Sequence, residues 1–250
     1  MASRSVAATL ALVLGCLGLA AVFIGIGGIQ LGLLSPLAGF LLAGLLTAVC
    51  GLGAVIAGVV GLVRTRATSG RTGRGRAWAG LGLGALLVAG IVSGPALSGS
   101  GGGTAAIHDV TTNIEDPPGF SDAVRNAPGR QNGVDYPDGG ETVPELQRSA
   151  YPDLAPIELD LSPAQALERA QRVAEGLGWT VTAVDREKGV VEAFDVTRFF
   201  RFVDDVVIRV RPRGAGSVVD LRSNSRVGGG DLGANAGRIR AFRDRLLETG

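Results

Sequence analysis

The chain has 250 residues and nearly balanced charge, but the charges are segregated: no acid precedes Asp109, and from there on the sequence carries all 23 acids with 18 of the 24 bases. A net charge of −5 on that half excludes the basic face that phosphate-backbone binding requires, so nucleic acid is not an expected partner. Both cysteines, Cys16 and Cys50, lie in apolar segments, which leaves the acidic half with neither a disulfide framework nor a thiolate metal site; no metal or cofactor is expected.

In chain order, residues 5–27 and 37–63 carry no charged side chain, and each stretch exceeds the roughly 20 residues needed to cross a bilayer. A third uncharged segment, 78–97, is shorter and opens on Trp78, an aromatic suited to the membrane interface. Three transmembrane helices are therefore expected. Between the second and third lie Arg64, Arg66, Arg71, Arg74 and Arg76 without a compensating acid, which the positive-inside rule places in the cytoplasm. The N-terminus is then inside, and the chain after Leu97 emerges on the extracytoplasmic side of a bacterial inner membrane. Val13-Leu14-Gly15-Cys16 has the outline of a lipoprotein cleavage site, but the apolar run continues well past Cys16, so an uncleaved span is the reading adopted. Small residues at helical spacing, Gly39, Ala43, Thr47 and Gly51 and then Gly80 and Gly84, form ridges for close helix packing; no ionisable residue interrupts the spans, which favours an anchor over a transport path.

Residues 98–103 have a Gly/Ser linker composition, and residues 104–161, rich in Pro, Gly, Asp and Asn, are expected to form an extended arm around a core at 162–250, with one short strand near Ile107–Thr112. Ser162-Pro163-Ala164-Gln165 combines an N-cap serine, a first-turn proline and a capping-box glutamine, and Ala166, Ala170, Val173, Ala174 and Leu177 then mark one apolar helix face ending near Gly178. Trp179–Val184 and Val190–Val196 alternate around Asp185–Gly189 as a hairpin. A second hairpin pairs Asp204–Arg211 with Ser217–Ser223. If Val210 faces Val219, then Arg209 faces Asp220 as an ion pair on an exposed strand face. Asp231 should cap a last helix with Leu232, Ala236, Ile239, Phe242 and Leu246 buried. The predicted fold is thus a three-helix membrane part followed by an α+β domain ordered helix, four antiparallel strands, helix.

The densest polar constellation is Arg222, Ser223, Ser225, Arg226, the glycines around Gly229, Asp231, Asn235 and Arg238. Amides of a glycine turn and a helix N-terminus can cradle an anion, with Arg226 adding a bidentate contact. Against that, Asp204 and Asp205 begin the partner strand beside Ser225 and Arg226, so the arginine and a carboxylate can neutralise one another and simply hold the turn. His108, the only histidine, is the one ordinary base for a hydrolase or transferase reading with Ser223, Ser225 or Asp204. Asp204 and Asp205 are strand neighbours and must face opposite ways, so they cannot act as a pair on one substrate.

Ile107-His-Asp-Val-Thr-Thr-Asn113, Tyr151-Pro-Asp153, Gly178-Trp179, the run from Asp204 to Arg211, and above all Val219-Asp-Leu-Arg-Ser-Asn-Ser-Arg-Val-Gly228 with Asp231-Leu-Gly-Ala-Asn-Ala236 and Arg238-Ile-Arg-Ala-Phe242 resemble the uncharacterised family catalogued as domain of unknown function 1499. The resemblance covers about residues 105–247 and implies a small extracytoplasmic domain, often behind membrane helices, without implying an activity. The expectation is a non-enzymatic, membrane-anchored envelope module that uses its exposed strand face and the Arg226 turn to bind another envelope protein or an anionic lipid headgroup.

Overall fold

The computed structural model describes residues 3–97, 105–137 and 142–248, so the expected linker at 98–103 lies outside the described residues. The chain forms two compact units: Met1–Pro95 with Arg198–Arg201, and Ala96–Thr197 with Phe202–Gly250.

In the first unit, Ser5 caps α1 (Val6–Gln30) by accepting the Ala8 amide proton. Ser35 and Pro36 start α2 (Pro36–Leu41), which a π-helical turn at Leu42–Leu46 joins to α3 (Thr47–Arg64). After the arginine loop comes α4 (Arg74–Leu97), which begins a turn earlier than Trp78 because nothing in Arg74-Gly-Arg-Ala77 breaks a helix. Three helical segments, Val6–Gln30, Pro36–Arg64 and Arg74–Ser93, are long and apolar enough to cross a membrane. Their large side chains, among them Phe23, Val49, Ile56 and Leu86, point outward, while Ala8, Ala11, Ala54 and Ala77 are buried. That inversion suits a lipid solvent, where close backbone approach replaces hydrophobic burial as the packing force. A Cβ on Gly80 would stand 2.3 Å from the Ala11 carbonyl carbon, and one on Gly84 would stand 2.7 Å from the Gly51 oxygen. Thr47 on the ridge of the second span donates its hydroxyl to the Gly18 carbonyl at 3.1 Å. Also within this unit, Gln30 Nε2 donates to the carbonyls of Arg198 and Phe199, both at 2.9 Å, and the rings of Phe40 and Phe200 meet edge to face at 5.1 Å.

The second unit is an antiparallel sheet with two long helices on one face. Its strands are β1 (Asp109–Thr111), β2 (Ile157–Leu159), β3 (Thr180–Asp185), β4 (Val190–Val196), β5 (Val203–Arg213) and β6 (Gly216–Ser225), in the order β1-β6-β5-β4-β3 with β2 also paired to β6. The α+β class stands, with six strands where the core alone supplies four; the additional two come from the 104–161 segment. Val210 lies opposite Val219 and Arg209 opposite Asp220, the register that alternation predicts. Ser162 and Gln165 form the reciprocal capping box that opens α7 (Pro163–Gly176). The core lies between the sheet residues Val110, Val191, Val206, Ile208, Val210, Val219 and Leu221 and one face each of α7 and α8 (Ala234–Glu248), with Trp179 stacked on Phe242 at 5.5 Å. Burying a ring such as Phe242 stabilises the fold by about 1.5–3 kcal/mol.

Two expectations need correction. Leu232 is not part of a buried helical stripe: it is 47% exposed with φ of +54°, because the Asp231 carboxylate accepts the Gly233 and Asn235 amide protons and so places the helix start after it. The strand face bearing Arg209 and Asp220 is not an exposed one, because residues 112–136, including α5 (Asp122–Arg125), run across it and Asp220 is fully buried. A further short helix, α6 (Val143–Ala150), pins β1 through Gln147, whose side chain accepts from the Thr111 amide and donates to the Thr111 carbonyl.

Candidate functional site

Strand alternation divides the polar constellation between the two faces of the sheet. On β6, residues 223 and 225 point toward the helices with Val219 and Leu221, whereas 220, 222, 224 and 226 point toward the covering arm. The residues that sequence spacing gathers into one cluster therefore belong to two networks separated by the sheet.

The helix-side network is closed. Arg238 on α8 donates from Nη2 to Asp204 at 2.6 Å, from Nε to Asp195 at 3.0 Å, and from Nη1 to Ser223 Oγ at 3.1 Å. Burial opposes the Arg238 charge, but the Asp204 and Asp195 carboxylates outweigh it and raise its pKa. Ser223 Oγ donates in turn to Asn235 Oδ1 at 2.6 Å, and Asn235 Nδ2 donates to Ser225 Oγ and to the His108 carbonyl, each at 3.0 Å. The Ser225 amide donates to that same His108 carbonyl at 2.9 Å, which extends the β1–β6 ladder and sets His108 beside Ser225. His108, Asp204, Ser223, Ser225 and Asn235 are all buried. The positive end of α8 meets the Asp231 carboxylate, whose own pKa is raised chiefly by burial. The cap occupies the position an anion would take.

The arm-side network holds the loop segment against the sheet. Arg226 donates from Nε and Nη2 to the two oxygens of Asp205, at 2.7 and 2.8 Å, which raises the Arg226 pKa. Arg130 from the arm pairs with the same carboxylate and donates to Asn224 Oδ1 at 2.6 Å. The Arg226 carbonyl accepts from the Gln131 and Asn132 amides, and Asn132 Nδ2 donates to the Gly228 carbonyl. Gly228 has φ of +94°, which this turn requires of a glycine, while Gly229 stands in open space. Arg222 is the buried hub: it makes a two-pronged pair with Asp109 at 2.9 and 2.6 Å, donates to the Pro118 and Val134 carbonyls, and lies over the rings of Phe120 and Tyr136. Burial pushes the Tyr136 hydroxyl up to about 12. Farther along, Asp220 takes Arg209 at 2.9 Å and Arg211 at 2.7 Å, and both arginines also reach Asp116 on the arm.

The arm leaves one part of its sheet face uncovered. A groove of about 630 Å³ runs between arm residues Phe120, Ala123, Val124 and Ala127 and sheet residues Ala183, Val190 and Phe194, with Lys188 and Asp185 on its rim and Arg226 with Asp205 on its wall. Its base is fixed by Glu192, which accepts from the Ser121 amide at 2.6 Å and the Ser121 hydroxyl at 2.7 Å. Arg226 also lies over the Phe194 ring at 5.6 Å. Sequence reasoning had no access to this groove. Alternation alone would have put Glu192 and Phe194 on one face, but the second wall comes from an arm without periodicity. Among the described residues no three of His, Cys, Asp and Glu gather as a metal-binding group.

A family model described as protein of unknown function, DUF1499, matches residues 109–246, which takes in the groove and both networks apart from His108. Curated proteins yield no match to the chain.

Proposed function

Because the chain belongs to the DUF1499 family, whose description names no activity, we propose from its own geometry that it is a non-enzymatic binding module, anchored in the cytoplasmic membrane of a bacterium and facing outward, which holds an apolar segment of another envelope protein in the groove between residues 119–128 and the β3–β4 hairpin. The observation that carries this reading is that the groove is the open remainder of a face otherwise covered by the arm, lined mainly by apolar side chains and braced by the Ser121–Glu192 bonds. Such a rigid, largely apolar cleft with a few polar groups at its edge has the anatomy of a preformed binding site. An anionic headgroup at Arg226 is less well supported, because that guanidinium is already committed two-pronged to Asp205. The outward orientation is supported by the five arginines between the second and third spans.

The test uses the full chain in native membranes with a photo-crosslinking residue in place of Ala183. A discrete protein adduct is expected, and Ala127→Phe, which fills the groove from the opposite wall, should abolish it while the thermal unfolding midpoint holds. An adduct that survives the filled groove would refute the assignment. One observation favours a hydrolytic alternative, the position of His108 beside Ser225 across the ladder. That alternative predicts release of envelope fragments that stops with His108→Ala; equal release by both chains would dismiss it.

A further inference from the structure

The connection between β4 and β5 carries Arg198-Phe-Phe-Arg201, a sequence that neither sheet network nor the groove uses. Its neck is stapled: the Thr197 amide donates to the Phe202 carbonyl at 2.9 Å, and the Phe202 amide donates to the Thr197 hydroxyl at 2.8 Å. Arg201 turns the chain back with φ of +51°, a conformation costly for an arginine and kept only where the surroundings impose it. The result is a fixed tip that presents Phe199, 59% exposed, with Arg198 lying 5.8 Å over its ring and Arg201 open to solvent.

A single exposed apolar side chain is ordinary on a protein surface, but this ring is set on a stapled, strained tip between two arginines. A bilayer interface favours an apolar ring at the headgroup–acyl boundary with guanidinium groups at the level of the phosphates. The depth agrees. Within the first unit the tip is bonded to Gln30, the last residue of α1, and Phe200 meets Phe40, in the first turns of the second membrane-length segment, so it stands where one such segment ends and the next begins. We propose that Arg198–Arg201 is a membrane-interface anchor that inserts Phe199 into the boundary layer of an anionic phospholipid bilayer, with Arg198 and Arg201 on its phosphates. The tip is a second contact with lipid, added to the three helices, and it holds for either orientation of the chain and for any occupant of the groove.

The test is a depth measurement at the tip. The full chain, with Cys16→Ala and Cys50→Ala, is reconstituted in vesicles of phosphatidylethanolamine and phosphatidylglycerol with a nitroxide on Phe199→Cys, and relaxation by oxygen is compared with relaxation by a water-soluble nickel chelate. Oxygen should dominate at position 199 and nickel at a control label on Lys188→Cys, the exposed hairpin tip. Adding Arg198→Gln and Arg201→Gln should move the 199 label several-fold toward nickel. Nickel dominance at 199 in the parent would overturn the proposal by showing a tip in water. Protection from both reagents would overturn it as well, because the ring would then be packed against protein instead of lipid.

Discussion

Removing the Asp109 carboxylate tests most sharply whether the arm is pinned to the sheet through Arg222. In Asp109→Ala the guanidinium, only 2% exposed, loses two charge-assisted bonds and keeps the Pro118 and Val134 carbonyls as its remaining acceptors. Breaking one partner of a buried pair costs about 3–5 kcal/mol, because the other charge stays desolvated. With a urea dependence of about 2 kcal/mol per molar, a loss of about 4 kcal/mol moves the unfolding midpoint down by about 2 M. The double variant Asp109→Ala, Arg222→Met, read in a cycle with its two single variants, leaves no stranded charge. It forfeits the two carbonyl contacts, at about 1 kcal/mol each, so it should fall by only about 2 kcal/mol and expose a coupling of about 2 kcal/mol or more between the partners. The assay is urea unfolding of the full chain in detergent, followed by fluorescence of Trp179, which is stacked in the core, in a Trp78→Phe background. A midpoint shift below about 0.5 M for Asp109→Ala, or additive effects in the cycle, would refute the hub role given to Arg222.

The Arg240 guanidinium donates to both oxygens of Asp153 and, as the main cause, holds that carboxyl down to about 2 from 3.8. The stability gained from a lowered carboxylate pKa is present above the unfolded value and lost as pH falls through the folded one, so Arg240→Gln should unfold earlier than the parent at pH 6 and converge with it between about pH 4 and pH 2. Asp231→Ala should cost about 1 kcal/mol as a lost helix cap, whereas Asp231→Asn keeps an acceptor and, because burial raises the Asp231 pKa, removes a contribution that falls as pH climbs past 3.8, so its stability relative to the parent should rise over that range; thermal unfolding checks both. Gly80→Ala must push α4 away from the α1 backbone and should lower the detergent thermal stability of the helical unit by about 1–3 kcal/mol, while Gly82→Ala, where a Cβ meets nothing within 4 Å, should leave it unchanged.

The parts of the fold legible from sequence are those whose signal is local. The Ser162–Gln165 capping box, the Asp185–Gly189 turn, in which the Asp185 side chain accepts the Lys188 amide proton, and the β5–β6 register fixed jointly by Val210 with Val219 and Arg209 with Asp220 all follow from residues within a few positions of one another or of one turn. The arm was opaque for the opposite reason. Arg130 finds Asp205 and Asn224, and Ser121 finds Glu192, across separations of more than 70 residues. With only three residues, β2 shows no period that could be read. Leu232 continues the spacing of Ala236 and Ile239, and only the cap geometry at Asp231 takes it out of the helix. For the candidate site, alternation already implied that Ser223 and Ser225 face away from Arg222 and Arg226. Linear proximity obscured that division until both faces of the sheet were in view.

We propose that the arginine-rich loop between apolar helices lies in the cytoplasm and leaves the DUF1499 domain on the outer side of the membrane. The most direct measurement is a pair of reporters fused after Gly250, one active only outside the cytoplasm and one active only within it. Activity is expected from the first and none from the second; activity confined to the second would place the domain inside the cell.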